Sequence, residues 1–62
     1  MDNNFLLTYS YENQEGMSDS DYDWYETEEK MLEDIEFKKE VLHDFRINEA
    51  IQVLGVKNIE LK

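Results

Sequence analysis

A chain of 62 residues has room for one small domain, and the absence of cysteine excludes disulfide staples and thiolate metal ligands. Sixteen acids against six bases give a formal charge of −10, which disfavours nucleic acid and anionic membranes as direct partners and steers the chain toward basic proteins. No uninterrupted apolar run exceeds Phe5-Leu6-Leu7, too short for a membrane-spanning helix or a secretory core, so the expectation is a cytoplasmic protein.

The charge is not spread evenly. From Glu12 to Glu36 there are eleven acids and one base, Lys30, a net of −10, while the rest of the chain balances five acids with five bases. High charge can mean disorder, but eight aromatic residues, no proline and periodic apolar positions favour a folded domain with one over-charged face.

In chain order, Phe5, Leu7, Tyr9 and Tyr11 share one side of an extended segment, with Leu6, Thr8 and Ser10 on the other, which predicts a first strand over 5–11. Residues 13–18 supply polar and glycine turn chemistry for a hairpin loop. A second strand is predicted over 20–26, with Tyr22 and Trp24 packed inward and Asp19, Asp21 and Asp23 pointing to solvent beside Tyr25. Thr27 is a helix N-cap, Glu28 and Glu29 suit the first turn, and Met31, Leu32, Ile35 and Leu42 define an apolar face, so a helix is predicted from Glu28 to about Lys39.

Beyond Glu40, Phe45, Ile47, Ile51 and Val53 alternate at even spacing with Glu49 breaking the face, which reads as a third strand. Asn48 as an N-cap and Gly55 as a stop leave a short helix over 49–54 as the rival. A last strand is predicted over 56–61. The fold class is therefore α+β, a small sheet of three or four mostly antiparallel strands with one helix packed on it, in a single domain spanning 1–62.

Asp19, Asp21 and Asp23 match the first three ligand positions of a calcium loop, but Trp24 stands where the sharp turn needs glycine and Lys30 where a bidentate glutamate belongs. No metal site and no cofactor are assigned. His43 is the sole histidine and lacks a nucleophile nearby, so it reads as a surface or helix-end residue, and no catalytic residue is assigned. The remaining candidates form a partner-binding set: Asp19, Asp21, Asp23, Tyr25, Glu26, Glu28, Glu29 and Glu33, with Tyr25 placed to stack on an arginine while the carboxylates pair with it.

The run Asp23-Trp24-Tyr25-Glu26-Thr27-Glu28-Glu29-Lys30-Met31-Leu32, with Glu49-Ala50-Ile51-Gln52-Val53 and Ile59-Glu60-Leu61, resembles short proteins encoded by phages and prophages of Gram-positive bacteria. In charge and size the chain is similar to phage-encoded nucleic-acid mimics of the anti-CRISPR and anti-restriction type. That resemblance implies a non-enzymatic inhibitor in the host cytoplasm, whose partner is a basic nucleic-acid-binding protein of the host. The alternative is a structural or accessory subunit docking on a phage or host assembly, and an exposed sheet edge leaves a homodimer open.

Overall fold

Residues 3–61 are described by a computed structural model, so Asp2 and Lys62 of the charge-balanced remainder lie outside it. Four strands and one helix follow in the order β1 (Phe5–Glu12), β2 (Ser18–Tyr25), α1 (Glu28–Val41), β3 (His43–Gln52) and β4 (Lys57–Asn58). The strands form one antiparallel sheet in the order β2-β1-β3-β4, and the helix packs on one side of it, giving the α+β class.

Turn chemistry sets the β1–β2 register. The Asn13 side-chain oxygen accepts from the backbone N–H groups of Glu15 (2.9 Å) and Met17 (3.0 Å), and Gly16 takes the left-handed conformation (φ 81°) that a side chain would disfavour. The resulting register pairs Phe5 with Tyr25, Leu7 with Asp23, Tyr9 with Asp21 and Tyr11 with Asp19. Because side chains alternate along a strand, the aspartates of β2 share the helix-covered side with the core residues of β1.

This inverts the prediction for β2. Tyr22 and Trp24 face away from the helix and are 60% and 45% exposed, whereas Asp23 and Tyr25 lie half-buried on the helix side. The apolar face of β1 is the fixed point: Phe5, Leu7, Tyr9 and Tyr11 must meet the helix, and the turn then decides which β2 residues accompany them. An edge strand tolerates this arrangement, since carboxylates there reach water or a counter-charge past the helix.

Thr27 caps α1 as its composition predicts, its hydroxyl accepting from the Lys30 N–H at 3.1 Å. The helix runs to Val41, two residues past Lys39, and Leu42 closes it through its N–H to the Lys38 carbonyl at 2.8 Å. Met31 and Ile35, one turn apart, are buried with Leu7, Tyr9, Ala50 and Ile59. Leu32, predicted with them, sits at the rim and is exposed.

In β3 the even alternation fails at Asn48. Thr8 pairs with Glu49 but Tyr9 pairs with Ile47, so Asn48 is an extra residue that resets the phase. Ala50 therefore turns inward, Ile51 turns outward opposite Leu6, and Glu49, which looked like an interruption, is correctly outside. Val53 falls in the following turn, so neither the continued strand face nor the short helix over 49–54 forms. The predicted last strand shrinks to Lys57–Asn58, because Val56 (φ 47°) and Gly55 (φ 97°) are left-handed and belong to the turn. Ile59 still reaches the core, its N–H donating to the Ala50 carbonyl at 2.8 Å.

The far side of the sheet carries Leu6, Thr8, Ser10, Tyr22, Trp24 and Ile51, and among the described residues nothing is layered on it. Asn48 donates to Ser10 at 2.9 Å, and Ser10 lies 3.4 Å from the Ser20 hydroxyl, a polar row across three strands of this open side.

Candidate partner-binding surface

The eight candidate residues divide into two groups. One is drawn into the helix–sheet seam. Lys38, only 12% exposed, places its ammonium 2.6 Å from Asp34 and 2.9 Å from Asp23, and the Tyr9 hydroxyl donates to the same Asp23 oxygen at 3.2 Å. Tyr25 donates a hydrogen bond to Asp34, and the Lys38 ammonium lies 5.0 Å above the Tyr9 ring. The result is a linked set, Tyr9, Asp23, Lys38, Asp34 and Tyr25, that ties α1 to β1 and β2.

The protonation tendencies follow from that packing. Burial pushes the Tyr9 hydroxyl up to about 12, with Lys38 opposing the rise and Asp23 and Asp21 adding to it. Burial also raises Tyr25 strongly, reinforced by its hydrogen bond to Asp34 and that carboxylate's charge. For Asp34, burial acts to raise the carboxyl, but hydrogen bonds from Lys38 and Tyr25 and the lysine's charge outweigh it and hold the group below its ordinary range. Burial likewise acts to lower Lys38, and the hydrogen bonds and charges of Asp34 and Asp23 overcome it and raise the ammonium's pKa.

Asp23 and Tyr25 are thus spoken for. Tyr25 does not stand free on an acidic surface to take an arginine, as its strand position had suggested, because its ring packs against the core and its hydroxyl is bonded to Asp34. Nor do Asp19, Asp21 and Asp23 converge on a cation. Alternate residues of an extended strand stand roughly 6.6 Å apart, and no cluster of three or more metal-ligating side chains occurs among the described residues.

The second group stays in solvent. Asp19 and Asp21 are exposed on β2, with Asp19 accepting from the Asn13 amide at 3.0 Å and Asp21 from the Tyr22 N–H at 2.8 Å. Glu28, Glu29 and Glu33 are exposed on the helix, and Glu26 makes a surface pair with Lys30 at 3.1 Å. Two further acids join them that the candidate set had omitted. Glu29, Glu33, Glu36 and Glu40 recur at intervals of four, three and four residues, which at about 100° per residue confines them to a ridge roughly 60° wide, opposite the buried Met31 and Ile35. Their spacing, i, i+4, i+7 and i+11, is legible in the sequence.

Two bases flank the ridge, Lys39, 3.2 Å from Glu36, and Lys30, 3.1 Å from Glu26, both exposed. Such a pair contributes about 0.3–0.5 kcal/mol and yields readily to a partner's cation. His43 opens β3, with its Nε2 2.9 Å from Glu12, beside a shallow depression of about 640 Å³ at the helix C-terminus. It is strongly exposed, in agreement with a surface role.

Set against protein-family models, curated proteins and solved structures, the chain matches none of them.

Proposed function

We propose that this chain acts by binding rather than by catalysis, presenting the glutamate ridge of α1 and the exposed Asp19 and Asp21 of β2 to the basic groove of a nucleic-acid-binding protein. The observation that carries the reading is the ridge: four carboxylates in line on one rigid helix, flanked by two exposed and weakly paired lysines, Lys30 and Lys39. Carboxylates so placed stand in for phosphates, accept charge-assisted hydrogen bonds from Lys and Arg, and release the anions those bases hold. Occupancy of the groove excludes its nucleic acid, which makes the chain an inhibitor of a nucleic-acid-processing enzyme, of the anti-CRISPR or anti-restriction kind if its source is a phage.

The contact set differs in weight from the one read off the sequence. Asp19, Asp21, Glu28, Glu29 and Glu33 remain, Glu36 and Glu40 are added, Glu26 is available once Lys30 releases it, and Asp23 and Tyr25 serve to hold the helix in place. The test is capture of targets from a host lysate, followed by affinity measured against salt and against competing DNA and RNA. Binding that weakens with both, and that is lost when Glu29, Glu33, Glu36 and Glu40 are changed to lysine, supports mimicry. Binding indifferent to salt and to nucleic acid refutes it.

One observation favours a second reading. The uncovered sheet side bearing Trp24 and Tyr22 would then seat an accessory subunit on a larger assembly, with the acidity serving solubility. Under that reading the glutamate reversals leave assembly intact.

A further inference from the structure

The outward side of α1 is not wholly acidic. Phe37 and Val41, one turn apart, are 59% and 56% exposed. The positions that neighbour Phe37 on the helix surface, three and four residues to either side, are Glu33, Asp34, Glu40 and Val41, so all but one are acids. Asp34 is bound to Lys38 and Tyr25, but neither Glu33 nor Glu40 forms an ion pair among the described residues. The lysines of the helix are engaged elsewhere: Lys38 with Asp23 and Asp34, Lys39 with Glu36, and Lys30 with Glu26. Val41 continues the apolar stripe into the depression at the helix C-terminus, whose lining includes Tyr11, Leu42, Glu15 and Glu12, the last bonded to His43. The helix end adds its own partial negative charge there.

We infer that Phe37 is the anchor of the helix surface, a platform on which an arginine of a basic protein partner stacks while Glu33 and Glu40 accept from its guanidinium. The inference rests on the reading of the ridge as a surface for a basic partner, and it names the side chain that surface takes. Charge complementarity selects this occupant. An apolar pocket closing over the Phe37 ring would draw Glu33 and Glu40 toward low dielectric without a counter-charge. A nucleobase on the same ring would bring its phosphates against those carboxylates. A guanidinium meets both demands, since its plane stacks on the ring, attracted by the electron-rich face, and its N–H groups fork toward carboxylates. Lysine serves the carboxylates but stacks poorly, because its ammonium is compact and strongly hydrated.

Two other aromatic sites compare less well. Tyr25, whose strand position suggested this pairing, is committed to the seam by its packing and its bond to Asp34. Tyr22 is exposed on the open side of the sheet, in one cross-strand row with Thr8 and Glu49. Its carboxylate partner in that row stands two strands away, roughly 9.6 Å at about 4.8 Å per strand. The acids beside Phe37 are helical neighbours, about 5–6 Å away between Cβ atoms. Phe37 therefore brings ring and carboxylates within reach of one guanidinium, on an element whose outward side already carries the ridge.

Titration of the full chain with oligoarginine and with oligolysine of equal length, over a salt series, tests it by calorimetry and by the ring resonances of Phe37. The expected result is tighter binding of oligoarginine, with the Phe37 resonances shifted by it. Phe37→Leu should lower the oligoarginine affinity about two- to fivefold, leave oligolysine nearly unchanged and keep the salt dependence, and Phe37→Trp should restore the preference, both with unchanged circular dichroism. The pair Glu33→Gln and Glu40→Gln should weaken both peptides and flatten the salt dependence. Equal binding of the two peptides, an arginine preference that survives Phe37→Leu, or one that is lost with Tyr22→Leu instead overturns the inference. Its failure is separable from that of mimicry. Captured targets that compete with nucleic acid but bind Phe37→Leu unchanged overturn the inference alone, whereas targets indifferent to salt and to nucleic acid, with the arginine preference intact at Phe37, refute mimicry alone.

Discussion

At the scale of single residues, Lys38 carries the most. It is the one cation in the helix–sheet seam among the described residues and serves two carboxylates, so replacing it leaves Asp23 and Asp34 close together without that counter-charge. Lys38→Met keeps the aliphatic stem and should cost about 1–3 kcal/mol at neutral pH, reduced from the buried-pair range because both aspartates are partly exposed. Native domains are stabilised by roughly 0.05–0.15 kcal/mol per residue, so that loss is a large share of the whole. The pH signs follow from the shifts. Lys38, Tyr9 and Tyr25 hold their protons more tightly than the ordinary values of 10.5, 10.0 and 10.0, so their contribution is complete below about pH 10 and is lost as pH rises through the folded values, about 12 for Tyr9. Asp34 is held below its ordinary 3.8, so its contribution is present above that pH and lost as pH falls through the folded value. Denaturant unfolding across pH should show the alkaline loss in the native chain, and in Lys38→Met the share of it due to Tyr9 and Tyr25 should persist, since burial raises both and Lys38 opposes the rise at Tyr9. At Val56 the opposite gain is available: Val56→Asn suits the left-handed turn and should stabilise the monomer by about 0.5–1 kcal/mol, read as a raised midpoint at low protein concentration.

At the scale of elements, α1 rests on its cap and two buried side chains, and Thr27→Ala should cost about 1 kcal/mol, measurable as lost helicity and a lower unfolding midpoint. That cap was legible in the sequence, as were β1, the hairpin loop, the helix start and the existence of β3, because each has a local cause: a period of two, an Asn and Gly turn, a Thr before two glutamates. The side taken by β2 was not, since Ser20, Tyr22 and Trp24 alternate with three aspartates and a tyrosine, and either half could claim the core. The decision lay in the register with Leu7 and Tyr9 and in a lysine fifteen residues downstream of Asp23, neither of which a strand's own pattern records. The phase of β3 was hidden for a related reason. Glu49 breaks an even alternation in the sequence, and in the structure that break marks the bulge at Asn48. Of the site, the acidic half was visible as charge, while its division into carboxylates held by the fold and carboxylates left free required the seam.

At the scale of the whole molecule, the charge of −10 acts against folding and in favour of solubility. Added salt should raise the thermal midpoint by relieving repulsion among the exposed acids of the helix ridge and of β2, while the same salt weakens attachment to a basic groove. Calorimetry and binding over one salt series should therefore move in opposite directions, and a midpoint that falls with salt would contradict that repulsion. The sheet order has a different consequence, in time rather than in energy. β1 is central, yet its two neighbours arrive far apart: β2 follows at once through a short turn, whereas Leu6 meets Ile51 only after 45 intervening steps of chain. The first hairpin and the helix are thus made before the strand that completes the core exists, and a chain interrupted before His43 has Leu7 and Met31 with neither Ala50 nor Ile59 to close over them. Folding of this protein waits for its last third, and the slow step is the closure of β3 onto a strand that was synthesised first.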